Sequence, residues 1–364
     1  MTDVETAPLQ SLRSGHWVKL ICGASYQALP AVRNLTLAYA LAGADCIDVA
    51  ADPAVVAATK AGLAAAGKIA GEQADRRYRR PWLMVSMSAG EDPHFRKAWF
   101  DPAICPADCL RPCEKICPAA AIDHTGVIRD LCYGCGRCLP VCPWGLIEAR
   151  SQPTELNAIA RQVLTSADAL EIHTQVGQRD AFKHLWQRLQ PQAKQLKLIS
   201  ISCPDAPGLI SYLKDLQRIL ARPLGTPSNG LSNGPSNVIW QTDGRPMSGD
   251  IGRGTTHAAI RLAQKVLASD LSGYVQLAGG TNQHTLPKLD ALEMLNKPSK
   301  NAKENAKERH RAVAGIAYGS FARRLLMPLI EQTLYLEEVP STLWKAVALA
   351  ESLVAPLKQA VNSQ

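Results

Sequence analysis

At 364 residues, with 46% apolar and 20% charged residues, the chain has the make-up of an ordinary globular protein, large enough to bury its core without staples. No apolar stretch reaches the roughly 18 residues of a membrane span, because Lys60 and Lys68 break the alanine-rich region that comes closest. The net charge of +8 is half accounted for by residues 297–311, where six Lys/Arg face two Glu with no interleaved aromatics; this reads as a solvated linker, not a nucleic-acid face.

The first hundred residues alternate strand and helix signals. Trp17 to Cys22 is a short apolar run, followed by a helix entered near Pro30 and closed at Gly43. A second run, Cys46 to Ala50, carries Asp48 and precedes a helix opened by Pro53 and running to about Ala66. Pro81 to Met87 is the third strand. A cysteine block, residues 101–150, then interrupts the alternation, which resumes with strands at Ala169 to His173, Leu196 to Ser202, Val238 to Gln241, Tyr274 to Leu277 and Ala312 to Tyr318. Helical segments follow each of them, and the stretch from Pro223 to Asn237 is a polar linker.

Continuous apolar strands separated by helices predict a parallel sheet covered on both faces. Eight βα units predict a (βα)8 barrel of TIM type, with an open doubly wound sheet as the alternative. The expected organisation is a first barrel part over 1–100, an inserted ferredoxin-type module over 101–150, and the rest of the barrel over 151–364, with linkers at 223–237 and 297–311.

Eight cysteines lie between Cys105 and Cys142. The second run, Cys132-x2-Cys135-x2-Cys138-x3-Cys142-Pro143, has the spacing of bacterial ferredoxins, in which each iron of a cubane takes one soft anionic thiolate and the fourth cysteine reaches across to the other cluster. The first run, Cys105-x3-Cys109-x3-Cys113-x3-Cys117-Pro118, repeats its end at an offset of 25 residues: Cys113, Cys117, Pro118 and Ile122 recur as Cys138, Cys142, Pro143 and Ile147. Two 4Fe-4S clusters follow, one on Cys105, Cys109, Cys113 and Cys142, the other on Cys117, Cys132, Cys135 and Cys138. The wider gaps of the first run leave a three-iron form open there. Paired zinc sites also use close cysteines, but need neither the Cys-Pro endings nor the repeat. Spacing alone does not separate electron transfer, redox sensing and a structural role. So many thiols in a long chain whose start has neither a basic region nor an apolar core point to metal ligation in the cytoplasm and not to disulfides in a secreted protein. Cys22, Cys46 and Cys203 read as buried structural thiols.

Polar residues gather where strands should end: Asp48, His173, Asp243 with Arg245, the run Gly279, Gly280, Asn282 and His284, and Gly319 with Ser320. Glycine-bearing loops after the last two barrel strands suit a phosphate-bearing ligand such as flavin mononucleotide (FMN). No nucleophile and base stand out.

Residues Gly15 to Ala24, Ala44 to Pro53, Gly90 to Lys97, Gln241 to Asp250 and Val275 to Asn282, together with the cysteine block, resemble the light-dependent period family of cyanobacteria. The resemblance implies an iron–sulfur regulatory protein that carries redox state, and through it light intensity, to the circadian clock. It implies the eight cysteines as ligands and circadian clock input proteins as partners, with the photosynthetic chain or the quinone pool supplying electrons. A non-catalytic sensor is the leading expectation, and a flavin-dependent oxidoreductase wired through the clusters is the other.

Overall fold

The computed structural model describes residues 7–22, 29–73, 78–90, 96–117, 120–128, 131–132, 136–151, 162–193, 195–221, 238–244, 255–296, 312–331 and 333–359, the side chains of Arg96, Ser151 and Thr255 excepted. Cys135, Arg245 and both expected linkers lie outside those residues.

Eight parallel strands close into a barrel, which settles the choice against an open sheet. In chain order they are β1 (Trp17–Ile21), β2 (Cys46–Ala50), β3 (Trp82–Ser88), β8 (Ala169–His173), β9 (Leu198–Pro204), β10 (Val238–Asp243), β11 (Tyr274–Ala278) and β12 (Gly315–Tyr318). Each pairs with the next, and β12 returns to β1 with Trp17 opposite Gly315. The strands alternate strictly, as the pleat requires. Val18 and Leu20 point outward into the main core beneath the helices, whereas Trp17 belongs to a second cluster inside the barrel. The outer shell is formed by α2 (Leu29–Leu41), α3 (Pro53–Gly71), α5 (Arg179–Ala193), α6 (Leu209–Ala221), α7 (Thr255–Leu267), α8 (Thr285–Ala291), α9 (Ser320–Ile330) and α10 (Pro340–Gln359). Asp52 begins α3 by accepting the amides of Ala54 at 2.9 Å and Val55 at 3.3 Å, with Pro53 pre-set for the first turn.

The interior is layered. At the end where the strands begin, Trp17 and Trp82 meet edge to face, 5.8 Å between centroids, among Cys46, Met84, Leu198 and Ile239. A short helix, α1 (Ala7–Ser14), which no sequence signal predicts, presses Leu12 into the same cluster and plugs that end.

The cysteine module enters and leaves along one barrel seam, because β3 and β8 are neighbours. Its neck is an antiparallel ribbon of β4 (Arg96–Trp99) on β7 (Glu148–Ser151), with the Arg150 guanidinium 3.1 Å from the centre of the Trp99 ring. Lys97 pairs with Asp52 at 3.8 Å and so ties the ribbon to the start of α3. Beyond the neck lie α4 (Pro112–Ile116) and the small hairpin β5 (Ile122–Asp123) and β6 (Gly126–Val127).

Candidate metal centre and barrel mouth

The module has its own small core. Cys113, Cys132 and Cys138 are buried with Ala98, Phe100, Ala121, Ile122 and Ile147, and Cys105, Cys117 and Cys142 pack against them. The 25-residue repeat is built into the backbone. Ala121 donates its amide to Cys117 Sγ at 3.2 Å, and Leu146, 25 residues on, donates to Cys142 Sγ at 3.4 Å. The turns that aim these amides also repeat: Ala120 (φ 48°) matches Gly145 (φ 62°), and Arg111 (φ 48°) matches Gly136 (φ 73°). A non-glycine residue at positive φ is strained, so Arg111 and Ala120 hold conformations that the second half gives to glycine.

Burial and neighbouring groups shift the module's thiols in opposite directions. Burial, and then the neighbouring Cys109 and Cys142, push the Cys105 thiol up. Burial also raises Cys113, which lies within reach of the Cys142 charge. Burial works against a Cys142 thiolate, but the amides of Leu146, Trp144, Ile147 and Gly145 outweigh it and hold that thiol below the ordinary range. Cys105, Cys113, Cys117, Cys132, Cys138 and Cys142 thus lie in one module core, with Cys109 beside Cys105. Among the described residues no three ligand side chains converge as a single ion requires. The donor set of thiols with amides aimed at sulfur fits iron–sulfur clusters, whose thiolates are tuned by such hydrogen bonds. Cys22, Cys46 and Cys203 are buried in the barrel away from the module, and burial lifts Cys22 and Cys203 to about 12.

The barrel interior holds a polar network that reading the strands as apolar runs missed. Lys19, fully buried on β1, pairs with Asp48 at 3.0 Å and with Glu171 of β8. Glu171 also accepts from Ser200 at 2.8 Å and from Gln241 at 2.8 Å, and meets His173 Nε2 at 3.1 Å. Gln276 continues the chain, donating to Gln241 at 2.6 Å and accepting from Trp17 Nε1 at 2.6 Å. Burial alone would lower Lys19, yet Asp48 and Glu171 hold its ammonium above the ordinary range. Burial would raise Glu171, and Lys19 with His173 outweighs it, keeping the carboxyl low. For Asp48 burial prevails over Lys19, and its carboxyl sits high.

Asp48 is therefore not a mouth residue. The residue is 1% exposed, and its side chain turns inward to Lys19 and Ser86, because it follows the inward-facing Cys46 by two residues. His173, at the end of β8, is half-buried and brings this network to the solvent side of the barrel. Of the other mouth candidates, Asp243 lies against Gly279, where any Cβ would overlap its carboxylate. Asn282 is spent on its own loop, donating to Thr256 Oγ1 at 3.2 Å and to the Gly280 carbonyl at 3.3 Å, and accepting the His284 amide at 2.8 Å. His284 is exposed at the start of α8. Ser320 begins α9 after Gly319, and Arg323 lies 3.8 Å from where a Cβ of Gly319 would stand.

Two family models match the chain: the light dependent period A C-terminal domain over residues 163–356, and the LdpA Fe-S cluster-binding domain over residues 105–153. Light dependent period A of Synechococcus elongatus is 55% identical over 360 residues, covering 98% of this chain and 95% of that protein. An uncharacterized ferredoxin of Methanocaldococcus jannaschii is 40% identical over 50 residues, covering 13% of this chain and 30% of that protein. Tryptophan synthase subunit alpha of Legionella pneumophila superposes with a TM-score of 0.42 at 9% identity, covering 99% of each chain.

Proposed function

The chain belongs to the light-dependent period A family, an iron–sulfur family, and from that premise we propose that it is a redox-sensing regulatory protein that relays light-dependent redox state to the circadian clock. The observation that carries the reading is the cysteine module: thiols in a private core, with matched amides aimed at Cys117 and Cys142. Cys105, Cys109, Cys113 and Cys142 would hold one 4Fe-4S cluster, and Cys117, Cys132, Cys135 and Cys138 the other. Bound clusters supply one-electron transfer and sensitivity to oxidation.

The chain's own part is to hold the sulfurs, stabilise them as thiolates through backbone amides, and limit water through Phe100, Ile122 and Ile147. Electrons would come from the photosynthetic chain or the quinone pool, and the response would be read by circadian clock input proteins. The module offers such partners a surface, since Ile104, Leu110, Leu131 and Trp144 are exposed on it.

Cys138→Ser tests this reading. Anaerobically purified variant protein is expected to lose about half of its iron and sulfide, and cells carrying it to lose the dependence of clock period on light. Full cluster content with an unchanged light response would sink the proposal. An equimolar flavin in the wild-type extract would move the reading to a flavin-dependent oxidoreductase.

A further inference from the structure

We propose that the exposed faces of α5, α6 and α7 form one basic docking surface for a protein partner that presents carboxylates. The charge count points there first. Residues 297–311 hold half of the net +8, and these three helices account for the other half: they carry seven Lys/Arg against two Asp, while the remainder of the chain balances at 27 Lys/Arg against 28 Asp/Glu. The cations are also spaced in a way that folding disfavours. Arg179 and Lys183 on α5, Lys214 and Arg218 on α6, and Arg261 and Lys265 on α7 are equal charges at i and i+4, a pairing that weakens a helix. None of the other barrel helices carries such a pair, and α7 contains no acid.

Ion pairs join the three helices into one face. The helices follow the neighbouring strands β8, β9 and β10. Arg179 reaches from α5 to Asp215 of α6 at 4.0 Å, Lys214 of α6 pairs with Asp270 just beyond α7, and Lys265 of α7 pairs with Asp205 just before α6 at 2.6 Å. A groove of about 280 Å³ opens on α6, lined by Lys214, Gln217, Arg218, Ala221 and Asp270. Lys183, Arg188 and Arg261 are exposed around it on the flanking helices, and among the described residues no carboxylate pairs with them.

Solubility does not account for this pattern, since it needs charges of both signs spread over the surface and not equal charges stacked on three adjacent helices. The class of partner follows from the rest of the face. The rings of these helices, Phe182, Trp186 and Tyr212, are buried, so nothing is offered for stacking onto bases. No large apolar side chain is exposed on them to enter a lipid surface. Asp205, Asp215 and Asp270 stand among the cations and would repel a continuous row of phosphates, whereas a protein can place its carboxylates opposite Lys183, Arg188 and Arg261 alone. The face is built from barrel helices and holds whether or not the redox reading does.

The test uses full-length, anaerobically purified, cluster-containing protein, with binding of a fluorescent glutamate–alanine peptide and of a fluorescent DNA duplex followed by anisotropy. Wild type is expected to bind the peptide, and the binding to weaken steeply with salt. Lys183→Glu, Arg188→Glu and Arg261→Glu combined should weaken peptide binding by about tenfold or more. The same protein should melt no lower than wild type, because two equal-charge pairs become opposite-charge pairs. Lys300→Glu, Lys303→Glu and Lys307→Glu combined, which change the net charge equally within residues 297–311, should keep most of the binding. Asp270→Asn, which frees Lys214 beside the groove, should tighten it. Peptide binding that the helix variant keeps, or that the 297–311 variant loses as fully, overturns the proposal. A duplex that the helix variant loses as steeply as the peptide overturns it too, in favour of nucleic acid.

Discussion

A lysine with no solvent exposure keeps its charge only where opposite charges replace water, and Lys19 has two, Asp48 and Glu171. Lys19→Met would leave both carboxylates without their cation and is expected to cost about 3–5 kcal/mol, read from denaturant unfolding. The pH dependence should change with it. Glu171 is depressed in the folded protein, so its contribution is complete above its unfolded value of 4.5 and is lost as pH falls through the lower folded value. Wild type should therefore show an acid limb that the variant lacks; an unchanged limb would count against the network. Asp48 and His173 were singled out from the sequence, but Lys19, Glu171 and the network that joins them were not, because one charged residue inside Trp17–Ile21 or Ala169–His173 does not disturb an apolar strand signal. The cysteines were plain because ligand spacing is a local constraint, set by how the backbone wraps a cluster.

The elements were legible where burial makes strands continuous. The helix-facing sides of the barrel strands are apolar, the inward sides carry only scattered polar residues, and helices alternate with the strands, so count and order followed from the sequence. The ribbon strands β4 and β7 were not, since Arg-Lys-Ala-Trp and Glu-Ala-Arg-Ser carry charge and pair only with each other. Closure rests on β12, whose Gly315 stands so near the Trp17 carbonyl that a Cβ would overlap it. Gly315→Ala should push β12 off β1 and cost about 1–3 kcal/mol, measured as a drop in melting temperature of the barrel signal. A neutral result would mean that the seam between first and last strands can widen freely.

At the scale of the molecule, the apolar side chains of the described residues form separate clusters, two in the barrel and one in the module, with the β4–β7 ribbon as the module's neck. Chelating the iron under air should therefore unfold the module alone. The expected outcome is loss of visible absorbance with barrel far-ultraviolet dichroism and its melting transition kept, and a single concerted collapse would contradict it. The seam between β1 and β12 also sets a schedule during synthesis. Trp17 has no Gly315 to pair with until the ribosome has reached that last barrel strand, and Tyr318 is made 176 residues after Cys142. At about 5–20 residues per second that interval is on the order of 10–35 s, during which every module cysteine has been made while the barrel stands open. The cysteines are thus available to iron and sulfide before the barrel can close, and a cell short of iron is expected to complete the barrel beside an empty module.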